Sequence, residues 1–264
     1  MMDDISSLDP KNAMLFVGAG VSRNLGLPNW SELVAEMGVQ LGFDKEVFSL
    51  FGDPLTLAEY YLINKKSIGP LRSWMDRNWH RDDIDIATSR VHELIVKIGF
   101  PIIYTTNYDR WIEKAFEHHR CPHRKIVNVN DLVALKDGET QVVKYHGDFD
   151  DDSTIVLAES TYMDRLQFES PLDIKLRADA LSRSVIFIGY SMSDINLRYL
   201  FYRLHRTWEK ANLGEARPPS FIFMARPNPV QEVVFKKLGI IPIVDETGDP
   251  QEGLVQFLQQ FARP

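Results

Sequence analysis

The sequence predicts an α/β fold, with a Rossmann-like parallel sheet covered by helices on both faces and a helical insertion subdomain. Short β-branched and aromatic runs recur between turn residues, and amphipathic stripes lie between several of them. The runs are apolar throughout, as is typical of strands buried on both faces of a parallel sheet. We expect one domain, residues 1–264, in which a strandless helical stretch, about 43–85, is inserted and covers the edge of the sheet.

Six strands and five helices follow from these patterns. The strands are Met14–Val17, Ile102–Thr105, Val142–Tyr145, Val185–Ile188, Phe221–Met224 and Ile240–Val244. Asn29, Ser31 and Glu32 form a start signal for the first helix, and Gly99 with Pro101 ends the second. The apolar stripes of the five helices are Leu33, Met37 and Leu41; Val91, Leu94, Ile95 and Ile98; Ile112, Ala115 and Phe116; Leu197, Leu200, Phe201 and Leu204; and Leu254, Phe257, Leu258 and Phe261.

The composition is that of a globular protein, with 44% hydrophobic and 25% charged residues. No window approaches the ~20 consecutive apolar residues that cross a bilayer, and the acidic N-terminus lacks the features of a signal peptide. We therefore expect a cytoplasmic protein without a membrane contact. The single cysteine, Cys121, excludes an internal disulfide and a four-cysteine zinc module. The net charge of −7 argues against direct nucleic-acid binding.

Polar loops follow four of the predicted strands. They contain Gly-Ala-Gly from Gly18, Thr-Thr-Asn-Tyr-Asp from Thr105, His-Gly-Asp from His146 and Gly-Tyr-Ser-Met-Ser-Asp from Gly189. The carboxyl ends of parallel strands lie along one edge of a sheet, where open α/β sheets bind their ligands. We therefore expect the four loops to converge on one ligand site.

The Gly-Ala-Gly turn suits a dinucleotide. Gly18 and Gly20 permit a tight turn and let a diphosphate approach main-chain N–H groups, although they could also serve only to turn the chain into a helix. Gly26 comes too late for G-x-G-x-x-G, no second strand ends in the expected acid, and no Gly-Lys-Ser/Thr follows. The turn belongs to neither common nucleotide-binding fingerprint.

In their order, these motifs resemble those of the sirtuin family. "GAGVSRNLGLPNW" is similar to the sirtuin cofactor-binding motif, and "TTNYD" resembles the Thr-Gln-Asn-Ile-Asp element with Asn107 and Asp109 in register. "YHGD" supplies the His-Gly pair of the family, and Gly189 and Ser191 match its Gly-Thr-Ser phosphate loop. The resemblance runs from about residue 14 to residue 196, and it implies that NAD is the ligand.

Departures from the family pattern indicate a particular branch. The paired Cys-x-x-Cys zinc ligands and the Phe-Gly-Glu stretch of sirtuin deacylases have no counterpart, and Ser31 replaces the usual arginine. The chain thus resembles the bacterial sirtuin-like domains of antiphage systems, which hydrolyse NAD. This resemblance implies an NAD-depleting effector that needs no metal. It also implies control by homo-oligomerisation or by a partner such as a helicase-type ATPase or an Argonaute-like protein.

Few residues are needed for this chemistry. Nicotinamide on ribose is already cationic and leaves as a neutral molecule without a general acid, while positive charge builds on the ribose. Asn107 suits contacts with the ribose hydroxyls and a water because an amide both donates and accepts. His146 suits the role of base, since an unperturbed pKa of ~6.5 leaves a neutral nitrogen. By resemblance, Asp109 would bind the nicotinamide carboxamide, and the cofactor would be held by Gly18, Ala19, Gly20, Ser22, Pro28, Trp30, Thr106, Gly189 and Ser191.

Structural roles are the alternative for several of these positions. Asn107 and Asp109 could cap the helix that follows them, and His146 could bond only to backbone. We interpret Asp194 and Asn196 as helix caps, and Tyr108 and Tyr190 suit packing as well as ligand contact.

Two polar segments are interpreted without a function. "FDDDS", residues 149–153, is expected to be a solvated hairpin or loop. In "EHHRCPHRK" the side chains of His118, His119, Cys121 and His123 look like metal ligands. They crowd one stretch without a distant partner pair, so an exposed helix end and turn is the preferred interpretation.

Two other functions remain open. A protein deacylase or ADP-ribosyl transferase would use NAD as a cosubstrate, although the missing zinc module counts against it. A catalytically silent module that binds NAD or ADP-ribose is the other alternative, and the presence of Asn107 and His146 weighs against it.

Overall fold

A computed structural model describes residues 5, 8–167, 169–191, 194–210 and 217–262. Its centre is a seven-stranded sheet in which every pair of neighbouring strands is parallel. The spatial order is β3-β4-β2-β1-β5-β6-β7. The strands are β1 Ala13–Val17, β2 Ile102–Thr105, β3 His123–Ile126, β4 Thr140–Lys144, β5 Ser184–Ile188, β6 Ser220–Met224 and β7 Ile240–Val244.

Helices connect the strands, and each predicted stripe lies on one of them, except that Phe261 follows the end of the last helix. The helices are α1 Ala19–Arg23, α2 Trp30–Leu41, α3 Lys45–Phe48, α4 Pro54–Lys65, α5 Gly69–Trp79, α6 Arg90–Ile98, α7 Trp111–His118, α8 Val129–Val133, α9 Glu159–Arg165, α10 Pro171–Ser182, α11 Ile195–Lys210, α12 Pro229–Lys237 and α13 Pro250–Gln259. Among the described residues, no helix is both long and apolar enough to cross a bilayer.

Local signals fix the ends of these helices as predicted. Asn29 and Glu32 form a reciprocal capping box at the start of α2. Gly99 ends α6 in the left-handed conformation, with φ of 72°.

The sheet is buried on both faces, which confirms the α/β prediction. Along β1, Leu15 and Val17 pack with α6, α7 and α13, whereas Met14 and Phe16 pack with α10, α11 and α12. All five residues of β1 and of β5 are buried. An uninterrupted apolar strand is what such two-sided burial requires.

The stretch 43–85 contains α3, α4 and α5 and no strand. Together with α2, these helices form a third apolar cluster, which also includes Tyr108 and Trp111 after β2 and Phe149 after β4. The helical stretch therefore packs on the segments that follow two central strands, at the carboxyl edge of the sheet.

Two sequence interpretations were incomplete. The predicted set of strands lacks β3, because this edge strand has the polar sequence His-Arg-Lys-Ile, and charged side chains are common on edges. The segment 149–153 is not solvated throughout. Its three aspartates are exposed, but the Phe149 ring is fully buried and contacts the guanidinium groups of Arg72 and Arg110.

Candidate functional site

The four polar loops line one cavity of about 1500 Å³ at the carboxyl edge of the sheet. They follow β4, β2, β1 and β5, which are consecutive in the sheet, so the loops are neighbours in space. The connections reverse direction at β1, as expected of a ligand site in an open sheet. The lining includes, among the predicted site residues, Ala19, Gly20, Ser22, Pro28, Trp30, Thr106, Asn107, Asp109, His146, Gly189 and Ser191.

Gly18 differs from the other predicted residues because it lies behind the lining. A Cβ at Gly18 would come within 2.9 Å of the Tyr190 Cα, and a Cβ at Gly20 would come within 2.8 Å of the Gly189 Cα. The Gly20 amide donates to the Gly189 carbonyl at 2.8 Å. Glycine is thus required at both positions because the loops after β1 and β5 are in close contact, which leaves no room for a Cβ. This contact, which the sequence did not reveal, brings the two loops together at one side of the cavity.

Asn107 is oriented by the loop after β1. Its Nδ2 donates to the Gly18 carbonyl at 3.2 Å and to the Ser22 hydroxyl at 2.9 Å, and its main-chain amide donates to Thr105 Oγ1. Both amide hydrogens of the side chain are therefore used, and Oδ1 has no hydrogen-bond partner among the described residues. The two hydrogen bonds of Nδ2 thus orient Oδ1, which is available as a hydrogen-bond acceptor for a ligand.

Asp109 is buried and its two carboxylate oxygens are both engaged. Oδ2 accepts from Ser22 at 2.7 Å, and Oδ1 accepts from the Trp111 amide at the start of α7. The predicted capping role is thus present for Asp109 but not for Asn107. A ligand would have to share the carboxylate with these partners.

Lys144 contacts the loop that carries Asp109. The sequence patterns did not predict this contact. Its side chain is fully buried at the end of β4. Its Nζ donates to the main-chain carbonyl of Asp109 and pairs with Glu113 at 3.3 Å. A lysine directly after two buried valines in a strand is the sequence signal that could have revealed it.

His146 is almost fully buried directly after β4. Burial disfavours the charged imidazolium and lowers the pKa of His146 to about 4, although the nearby Asp194 carboxylate raises it. The ring is therefore neutral at pH 7, as a base requires. Its nitrogens face two side chains: Nε2 lies 3.1 Å from Asp194 Oδ2, and Nδ1 lies 3.4 Å from the Tyr162 hydroxyl.

Tyr162, on α9, is a further lining residue that the sequence analysis missed, because no local pattern connects α9 with the four loops. Asp194 was interpreted as a cap, and one of its oxygens does accept from the Leu197 amide at 3.1 Å. The other oxygen, Oδ2, faces His146 and also accepts from the Tyr162 hydroxyl at 3.5 Å, so this aspartate does more than cap the helix. Asn196 does not cap; its side chain donates to the Tyr162 carbonyl.

The two ambiguous tyrosines both pack and line the cavity. The Tyr108 ring stacks on Trp79 and its hydroxyl donates to the Val156 carbonyl at 2.6 Å. The Tyr190 ring packs against Phe16 and Phe187.

The histidine-rich segment lies outside the cavity. His118 ends α7, Cys121 follows a turn at His119 and Arg120, and His123 begins β3. The interpretation as a helix end and turn is therefore right for most of the segment, but its last residues form the missed edge strand. Among the described residues, no group of three or more histidine, cysteine or acidic side chains is arranged to hold a metal ion.

Comparison with known proteins identifies a family and several relatives. The profile of the SIR2-like domain family matches residues 101–243, which is more than half of the chain. NAD(+) hydrolase ThsA of Bacillus cereus (strain MSX-D12) is 30% identical over 204 residues, covering 76% of this chain and 41% of that protein. NAD(+) hydrolase ThsA of Acinetobacter baumannii (strain 532279) is 28% identical over 209 residues, covering 78% and 42%.

A third relative covers more of this chain. Defense-associated sirtuin 2 of Bacillus subtilis is 24% identical over 261 residues, covering 94% of this chain and 24% of that protein. The chain thus spans about two fifths of the length of the ThsA proteins and a quarter of the third relative. With the matched profile including the loops after β2, β4 and β5, the chain belongs to the SIR2-like domain family.

Proposed function

We propose that this chain hydrolyses the bond between nicotinamide and ribose in NAD, releasing nicotinamide and ADP-ribose. The observation that carries the proposal is the meeting of the Gly-Ala-Gly turn, the Asn107 carbonyl oxygen and the neutral imidazole of His146 in one cavity. Relatives named NAD(+) hydrolase ThsA match over three quarters of the chain and support the same reaction.

The arrangement suits a reaction in which positive charge develops on the ribose. The Asn107 Oδ1 acceptor can hold a ribose hydroxyl or the attacking water, because both hydrogens of its amide are bound elsewhere. His146 can accept a proton from that water, since burial keeps its ring neutral at pH 7. The phosphates would lie along the loops after β1 and β5, near Ala19, Ser22 and Ser191.

We also propose that the chain acts in the bacterial cytoplasm as the NAD-depleting effector of an antiphage defence complex. An enzyme that destroys NAD must be held inactive until infection. Self-assembly or a partner, such as a helicase-type ATPase or an Argonaute-like protein, is the proposed control. The defence-associated relative from Bacillus subtilis supports the biological setting.

The decisive experiment is product analysis after incubation of the purified protein with NAD. Chromatography should show nicotinamide and ADP-ribose in equal amounts. Asn107→Ala and His146→Ala should each lower turnover by at least about 100-fold, in the range for loss of a base or a positioned hydrogen bond. Asn130→Ala and His118→Ala are matched controls at exposed positions and should keep full activity.

Four outcomes would contradict the proposal. Retained turnover in both Asn107→Ala and His146→Ala would show that these two residues are not catalytic. Nicotinamide release that depends strictly on an added acylated peptide would indicate a deacylase, and transfer of ADP-ribose to protein would indicate a transferase. Tight NAD binding without loss of NAD, in every assembly state and with candidate partners, would indicate a silent binding module.

A further inference from the structure

The contacts of the His146 ring define a feature that the proposed reaction does not by itself require. Asp194 Oδ2 lies 3.1 Å from Nε2, and the hydroxyl of Tyr162 lies 3.4 Å from Nδ1. Nε2 is buried and has no aligned hydrogen-bond partner among the described residues, so the carboxylate is its close neighbour without a formed bond. Asp194 also lines the cavity beside His146.

We propose that Asp194 is a positioning residue that holds the His146 imidazole with its hydrogen on Nε2 and its lone pair on Nδ1. This role deepens the NAD hydrolase function and rests on it, because the Nδ1 lone pair would be the base of that reaction. In the opposite tautomer, the Nε2 lone pair would face a carboxylate oxygen at 3.1 Å, and two acceptors would repel each other in a buried site. The carboxylate therefore selects the tautomer.

Hydrogen bonds from main-chain amides hold Asp194 in place beside His146. Its Oδ1 accepts from the Leu197 amide at 3.1 Å, and its carbonyl accepts from the Arg198 amide, so the residue is anchored at the start of α11. Asn196, in the same turn, donates to the Tyr162 carbonyl and ties α11 to α9. The carboxylate and the Tyr162 hydroxyl are thereby held against the two nitrogens of one ring, and the hydroxyl also lies 3.5 Å from Asp194 Oδ2.

The other two charged side chains near the ring, Arg165 and Asp173, have opposite effects on the pKa of His146. Arg165 and Asp173 form a salt bridge at 2.7 Å, and the Arg165 guanidinium lies 4.3 Å from the centre of the Tyr145 ring, which stacks on His146. Arg165 disfavours the imidazolium whereas Asp173 favours it. The carboxylate of Asp194 is the charged group that contacts a ring nitrogen directly.

Asp194→Asn provides a sharp test because it changes one atom and keeps the helix cap. The asparagine Oδ1 must still accept from the Leu197 amide, which leaves the NH₂ group where Oδ2 now lies. An amide nitrogen only donates, so Nε2 would become the acceptor and the hydrogen would move to Nδ1. We expect kcat to fall about 10- to 100-fold with little change in KM, as when an outer partner that orients a functional imidazole is removed.

A matched control is Asp44→Asn. Asp44 caps α3 in the same manner, accepting from the Glu46 amide at 2.9 Å, and it does not line the cavity. This variant should keep the wild-type kcat.

The tautomer itself can be read by ¹⁵N NMR of protein labelled on its seven histidines, with the His146 signals assigned from a His146→Gln variant. We expect the wild type at pH 7 to carry hydrogen on Nε2, and Asp194→Asn to carry it on Nδ1. Hydrogen on Nδ1 in the wild type, an unchanged tautomer in the variant, or an unchanged kcat would each overturn the proposal.

The NMR measurement needs no NAD hydrolysis, and the wild-type result does not depend on the folding of Asp194→Asn. If the wild type fails to cleave NAD but shows the expected tautomer and its reversal, the proposed function fails and the positioning contact stands. If NAD is cleaved but the tautomer is the opposite one, only the role of Asp194 fails.

Discussion

Gly20→Ala separates the effect of local helix propensity from that of the loop contact. Gly20 lies in α1, where replacement of glycine by alanine ordinarily stabilises by up to about 1 kcal/mol. The new Cβ, however, would lie 2.8 Å from the Gly189 Cα and 2.9 Å from the Gly189 carbonyl oxygen. These are main-chain atoms and cannot rotate away. The loops after β1 and β5 would have to move apart.

The size of the effect follows from this distance. Moving the Cβ from 2.8 Å to an ordinary contact of at least 3.4 Å requires about 0.6 Å of separation. Overpacking of this kind costs about 1–3 kcal/mol, so the expected sign is opposite to that given by helix propensity. Because a misplacement of about 1 Å can cost roughly 100-fold in rate, we expect turnover of NAD to fall about tenfold.

Urea denaturation measures the free energy of unfolding, and the NAD assay measures turnover on the same samples. Gly52→Ala is the control, because a Cβ there meets its nearest neighbours at an ordinary 3.7 Å. Stabilisation of Gly20→Ala, with turnover equal to that of Gly52→Ala, would refute the conclusion that the glycines are required by contact between the two loops.

Two further predictions concern stability. Burial lowers the pKa of His92 and of His146 to about 4, so the folded state keeps both rings neutral while the unfolded state binds protons below about pH 6.5. The free energy of unfolding should therefore fall as pH decreases from about 6.5 to about 4, by at most roughly 3 kcal/mol for each ring. Urea titrations at several pH values measure this dependence, and His146→Gln should make it less steep. An equally steep dependence in the variant would contradict the prediction. Lys144→Met should destabilise the protein by about 3–5 kcal/mol because it leaves the buried Glu113 carboxylate unpaired. Adding Glu113→Leu should recover much of this loss. A Lys144→Met variant as stable as the wild type would contradict a stabilising role of the ion pair.

Sequence reasoning worked where the chemistry is local or where topology leaves little choice. Apolar strands alternating with amphipathic helices predicted the parallel sheet, and a parallel sheet brings the ends of its strands to one edge. Asn107 and His146 could therefore be placed in one site although 39 positions separate them in the chain. The capping box at Asn29 and the left-handed Gly99 were predicted because such signals act within a few residues.

The sequence by itself determined the fold class and four of the loops that line the cavity, because periodicity and strand direction are properties of short segments. Only the tertiary structure decided which residues contact one another around the cavity: Lys144 donates to the Asp109 carbonyl, Asp194 lies beside His146, and Gly20 lies against Gly189. These contacts join residues on separate segments of the chain, and their geometry depends on how the helices pack on the sheet. No repeating pattern in the chain records such distances, so they emerge only when the segments are assembled.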